Sequence, residues 1–353
     1  MLRPCLQRLL AGFTALSVGL VCIGDIAMAC EERARSDDRS SLTLSLSDDC
    51  TEAEQQARAI HAKQLMNALQ QGKTIMLSGV MLQDDFVLDD LSVRPVPSDL
   101  ANVVRISGKE ARILSGAISI VNSKVRGAIR HRSAEGTLVF RGPVNFTGTR
   151  FDRAVDLSRS VFLQPVTLSG AIFLGESYFV ADRFLTDVYS EKTAYGPHTR
   201  FHRAHFYGPV TFQQSGFSGL AEFLEVQFDK SANFSRTYFK QGTGFSGTRF
   251  GGMADFSEAL FDREAFFPFA VFVDDAYFRR ATFRSTADFS HVEFQGRDDF
   301  AKVLFEQSPE FSGIKRNREK EPLGLENPKI QYLVTLSLLL FSALLLVYLI
   351  KSK

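Results

Sequence analysis

His198, His202 and His205 are the densest group of metal-capable side chains in the chain, in a His-x3-His-x2-His spacing. Imidazole nitrogens at such a spacing are the kind of set that holds zinc or nickel. No nearby Cys or obvious carboxylate completes the set, so surface histidines are the plainer reading and no metal is expected. Asp255, Glu258, Asp262 and Glu264 bring four carboxylates close together in sequence. As a catalytic acid and base they would need a cleft, whereas solvated charge accounts for them without one. The Gly-rich stretch 242–252 is followed by neither a helix nor Lys-Ser/Thr, so it is no phosphate loop, and no Gly-x-Ser-x-Gly nucleophile turn occurs. No catalytic or cofactor-binding residue is nominated, and no cofactor is expected.

Whatever these groups do, a strongly periodic segment carries them. Counting from Phe146 in steps of eleven lands on Phe or Leu at fifteen of sixteen positions as far as Phe311, Ser190 being the exception. A second ladder, from Phe151 to Phe305, is aromatic at all fifteen positions, with Tyr195 in the same repeat as Ser190. Together the two ladders take 27 of the 33 Phe residues. Phe146, Phe234, Phe245, Phe256, Phe267, Phe278, Phe289, Phe300 and Phe311 lie on the first; Phe151, Phe239, Phe250, Phe261, Phe272, Phe283, Phe294 and Phe305 lie on the second. A period held this strictly means a solenoid, each repeat one structural step.

Two residues before most ladder aromatics stands a small or β-branched side chain, such as Ala232, Ala254 and Ala265 on one ladder and Thr248, Ala259 and Val292 on the other. Side chains two apart in an extended segment point the same way, so each short strand turns one small and one large residue inward. Eleven residues are too few for a whole coil, because two Phe and two small residues would overfill the tube. Two repeats per coil give four faces, and at roughly 4.8 Å per coil the Phe-rich part becomes a rod of about 35 Å. Each buried Phe is worth about 1.5–3 kcal/mol, so Phe256→Asp is expected to unfold neighbouring coils. Ser190 reads as a weak step, with Ser190→Phe expected to raise the unfolding midpoint; a bend or binding notch is the functional alternative.

The repeats Ala232-Asn233-Phe234-Ser235-Arg236, Ala254-Asp255-Phe256-Ser257-Glu258 and Ala287-Asp288-Phe289-Ser290-His291 resemble those of the pentapeptide-repeat family over about half the chain. The resemblance implies an all-β solenoid, a right-handed quadrilateral β-helix. This sequence alternates spacings of five and six, which places an extra residue at every second corner; Gly251-Gly252, Asp262-Arg263 and Gln295-Gly296 fall there, where a sharp turn wants Gly or polar residues.

The remaining segments divide as follows. Residues 1–29 read as a signal peptide: Arg3 and Arg8 precede an apolar run from Leu9 to Ile23, and Ala27-Met28-Ala29 supplies the cleavage site. Residues 30–50 form a polar segment whose Cys30 and Cys50 are the pair left in the mature chain, open to a disulfide or, for Cys30, to lipidation. Thr51 and Glu54 have capping-box spacing and open a helix over 51–72 that caps the first coil or binds a partner. Residues 73–145 read as irregular first coils, with Ile118, Ile129 and Phe140 already in the phase of the second ladder and a loop from Arg130 to Gly136. The ladder β-helix occupies 146–312. A linker follows at 313–329, then a transmembrane helix at 330–350 without a charge, and a short tail at 351–353.

Lys315, Arg316, Arg318, Lys320 and Lys329 before that span, against Lys351 and Lys353 after it, would place the repeats in the cytoplasm. The signal peptide takes precedence, because long domains translocate largely regardless of local charge. The expectation is therefore a single-pass protein of the bacterial cell membrane with its repeats outside the cytoplasm, a non-enzymatic scaffold for an unidentified protein partner or for other copies of itself. A net charge of +1 argues against nucleic acid. Two further readings stand beside this one: a polysaccharide-active β-helix enzyme, which would carry groove-forming loops, and, by resemblance, a gyrase-protecting DNA mimic if the repeats are cytoplasmic.

Overall fold

The computed structural model describes residues 30–98, 100, 110–131 and 137–317. The signal-peptide and transmembrane expectations, and residues 132–136 of the expected loop, lie outside these residues. Among the described residues no helix is long and apolar enough to cross a membrane.

The chain winds as an all-β solenoid. Successive two- or three-residue strands visit four sheets in turn, here faces A, B, C and D, and each pairs in parallel with the strand 22 residues on: Val144 with Val166 on face A, Phe151 with Phe173 on B, Val155 with Ser177 on C and Phe162 with Phe184 on D. Twenty-two residues and four faces per coil follow from the packing limit inferred above. The ladder rings line the interior as four columns. Phe212, Phe234, Phe256 and Phe278 stack on face A at centroid spacings of 4.9–5.0 Å. Phe217, Phe239 and Phe261 stack on face B at 4.9–5.1 Å. Rings of columns A and C meet edge to face, as Phe234 and Phe245 do at 84°, the arrangement the ring quadrupole favours. The small residues two places earlier, Ala232, Ala254, Ala265 and Ala276 among them, are fully buried between these columns.

Corners differ from the sequence expectation. The six-spaced corners carry the extra residue yet need no left-handed backbone. It is the five-spaced corners that do, at every eleventh residue from Gly148 to Gly313, including Arg159, Arg203, Arg236, Glu258 and Phe269. The reason is room. Only two residues separate inward side chains there, so the chain closes a tight turn, as where Ala270 N–H donates to Phe267 O at 2.9 Å, and such a turn places its third residue at positive φ. Gly252 and Gly296 in the wider corners serve close approach instead: a Cβ on Gly296 would lie 2.3 Å from the carbonyl carbon of Asp274.

The N-terminal end is more ordered than its polar composition suggests. Strand β1 (Glu32–Asp37) pairs antiparallel with β2 (Ser41–Leu46), whose alternating Leu42, Leu44 and Leu46 are buried. Cys30 and Cys50 are joined as a disulfide, which leaves no free thiol on Cys30 for a lipid. The single helix expected over 51–72 is two. Helix α1 (Glu52–Ala57) has the Thr51–Glu54 capping box but buries nothing. Strand β3 (Ile60–His61) interrupts it by pairing with Leu82 and Gln83 on face B, and burial of Ile60 outweighs continuing a helix that has no apolar stripe. Helix α2 (Ala62–Gln70) then turns Leu65, Ala68 and Leu69 onto the core, at the i, i+3, i+4 spacing of a helix face. It stands where the first coil would have faces C and D, and so plugs the tube; β4 (Thr74–Ser78) resumes face A beside β2.

In the early coils the phase expected for Ile118 and Ile129 is corrected. Phe140 does stack under Phe162 in column D at 4.5 Å. Ile118 and Ile129, however, align with Val144 and Val155, the small-residue positions of faces A and C. Val125 is the residue beneath Phe151. Extra residues between Arg130 and Thr137 shift the count, so a step of eleven fails there.

Candidate interaction surface

The outward side chains form rows along the rod, because the same position recurs every coil. Arg203 pairs with Glu225 at 2.7 Å, Arg236 with Glu258 at 2.9 Å, Arg284 with Asp262 at 2.7 Å and Arg297 with Asp275 at 2.8 Å. Each of these four pairs bridges one coil to the next. Glu258 is held below the usual carboxylate range chiefly by its hydrogen bond from Arg236. The four carboxylates close in sequence separate in space. Asp255 is on face A, Glu258 on the corner between A and B, Asp262 at the end of B, and Glu264 beside face C. They do not form an acid–base pair.

The histidines separate likewise. His198 lies on face C with Nε2 2.9 Å from Glu222 Oε2; His205 lies on face D, stacked on Tyr207 and with Nε2 3.0 Å from Asp229 Oδ2; His202 sits on the corner between them. Carboxylates do stand beside His198 and His205, supplied by the next coil, 24 residues on in sequence. Among the described residues no group of three or more His, Cys, Asp or Glu is placed to hold a metal.

Ser190 is neither exposed nor a notch. It points inward, fully buried, with Oγ 2.7 Å from the Tyr195 hydroxyl and 3.0 Å from Thr193 Oγ1. The one polar residue of column A is thus matched by the one phenol of column B. Asp182 is also fully buried, in a small-residue position of face D: Oδ1 accepts from Ser160 N–H at 2.8 Å and Oδ2 has no partner among the described residues. Burial pushes this carboxyl well above its ordinary range.

Two Phe within the repeats belong to neither ladder, and both are exposed. Phe266 is in the middle of face C and Phe269 on the corner between C and D, with 64% of Phe269 open to solvent. Leu220, Leu224 and Pro268 lie nearby on the same face. The sequence reading passed over this patch, although its signal was legible as two aromatics out of step with both ladders.

The sequence model of a family described as pentapeptide repeats, nine copies, matches residues 139–186 and 197–237. The coils it covers are those with 22-residue register, four faces and stacked interior rings. The matched coils are pentapeptide repeats, wound as a β-solenoid. The interval between the two matched stretches contains Ser190 and Tyr195, and the pentapeptide-repeat geometry continues past 237 to the last coil without change of register. No curated protein and no solved structure matches the chain.

Proposed function

We propose that this pentapeptide-repeat protein is a non-enzymatic scaffold of the bacterial cell envelope, exported by residues 1–29, held at the membrane by residues 330–350, and used for docking on the flat faces of its rod. One observation carries the reading: from Thr137 to Asn317 the coils follow one another without an inserted loop, so these coils offer long ordered faces and no loop-walled site that would sequester a substrate. Linear arrays of this kind work as extended binding surfaces.

The test places a photoactivatable residue at Phe266 on face C or at Arg249 on face D of the full chain in intact cells. A discrete adduct from one face and not the other is the expected result; no adduct from either face makes the rod a plain spacer. Location is checked with an epitope inserted between His131 and Thr137. Protease should remove it in intact spheroplasts, and protection until lysis would put the repeats in the cytoplasm.

A further inference from the structure

On face C a trough lies beside a ridge. The coil 231–252 presents Gly242, Gly244, Ser246 and Gly247 to this side, and the next coil presents Glu264, Phe266, Pro268 and Phe269 in the same positions, Gly244 pairing with Phe266 in the sheet. The trough has an apolar lining, because Leu224 of the coil before leans across it; a Cβ on Gly244 would lie 2.9 Å from Leu224 Cδ2. The ridge is costly to the fold. Phe269 has φ +60°, a conformation bulky side chains rarely adopt, and its ring leans on His291, 5.1 Å away, rather than entering the core. A glycine occupies the equivalent corner one coil earlier, at Gly247. Stability selects against an exposed aromatic here, so its presence points to something that covers it.

We infer that this face docks on the same face of a second copy, the two rods antiparallel. The inference rests on the scaffold reading and names one of its partners. A two-fold axis lying across face C between these two coils sets the ridge of each copy into the trough of the other, Phe266 against Gly244 and Phe269 against Gly247, so one patch is its own complement. The midline of the face runs Arg200, Glu222, Gly244, Phe266, Asp288, Glu310 in register. The same axis brings Arg200 of each copy to Glu310 of the other, and Glu225 to His291. Glu222 faces Asp288, but Arg200 and His198 already hydrogen-bond Glu222. Parallel rods would set Phe on Phe, Arg200 on Arg200 and Glu310 on Glu310, a juxtaposition of like charges that charge complementarity disfavours. The patch is narrow, which places the dimer among weak interfaces.

The experiment uses the full chain in detergent, with size read by sedimentation velocity over a concentration series. The wild type should pass from monomer to dimer, and Phe269→Gly should weaken that association at least tenfold. The same substitution should leave the thermal midpoint unchanged or raise it, since glycine accepts positive φ, so loss of dimer cannot be loss of fold. Mixing Arg200→Cys chains with Glu310→Cys chains and adding a short bismaleimide should link 200 to 310, with little 200-to-200 product. A wild type that stays monomeric, a Phe269→Gly chain that dimerises as before, or a predominant 200-to-200 link each overturns the inference. If these fail while photoadducts still form from one face in cells, the scaffold reading stands without self-docking; if the photoadducts also fail, both fall.

Discussion

Some polar atoms inside this rod are matched to one another, and Ser190 shows how. Read from the ladder alone, Ser190→Phe fills a gap. In the fold that space is shared with the Tyr195 hydroxyl, 2.7 Å from Ser190 Oγ, so a ring at 190 would crowd the phenol and strip its partner. The single substitution should therefore lower the unfolding midpoint, overpacking costing about 1–3 kcal/mol of stability, while Ser190→Phe with Tyr195→Phe should raise the midpoint above wild type. Chemical denaturation of the two variants decides this; a rise in the single variant refutes the pairing. Ser190 and Tyr195 were legible as a joint irregularity, but a five-residue separation does not say that two side chains touch. Asp182 is the opposite case, a carboxyl only half matched. Its folded pKa is raised above the unfolded value, so its contribution to stability is intact below about pH 4 and is lost as pH rises toward the folded pKa. Asp182→Asn keeps the oxygen that accepts from Ser160 N–H and cannot ionise. The variant should gain on wild type progressively between pH 4 and 7, and thermal midpoints that run parallel over that range would count against a buried neutral acid.

At the scale of elements, what the sequence made legible was whatever repeats. The period, the small-and-large inward pair and the four faces all survive, because each position is sampled in coil after coil. Of the elements that occur once, the start of α1 at its Thr51–Glu54 capping box was legible and most of the rest was not. The break between α1 and α2 is set by Ile60 finding a sheet partner in Leu82, a contact 22 residues away that no helical pattern reveals. Ile118 and Ile129 were placed on the wrong positions because aliphatic residues fill both the large and the small sites of the early coils, leaving nothing to signal the shift near Arg130. The tight corners were missed because most carry ordinary residues such as Arg159 and Glu258. The disulfide has its effect at this scale, tying Cys30, two residues before β1, to Cys50, the residue before α1's cap. It closes a 20-residue separation, and restricting the unfolded chain to that extent stabilises by about 3 kcal/mol. Cys50→Ser should cost about that much in a two-state fit of the N-terminal coils. The far coils should be unaffected, and an equal loss throughout would mean the plug and the rod melt as one unit.

Over the whole molecule the two ends are unlike. One is plugged by α2, with Leu65, Ala68 and Leu69 buried. At the other, among the described residues, the last ring layer is thinner: Phe311 is 37% exposed and Phe300 only partly buried. There Asp298 takes the small-residue position one coil after Ala276 and pairs with Arg316 at 2.8 Å. A solenoid's stability is a sum of coils and nearest-neighbour interfaces, so unfolding should begin where an interface is missing and proceed toward the end with less cover. Phe256 stacks between Phe234 and Phe278 at 4.9 and 5.0 Å and is fully buried. Replacing it with Asp costs about 3–5 kcal/mol for the lost ring together with the cavity it leaves, and adds a carboxylate with no partner. The defect should divide the rod. Amide exchange should accelerate by orders of magnitude from the coil of Phe256 through Phe311, because those coils lose their neighbour on the plugged side, while Val144 to Phe179 stay protected as in the wild type. Uniform acceleration along the rod would mean that the stacked columns couple it into one cooperative unit, and the additive description of this chain would have to be abandoned.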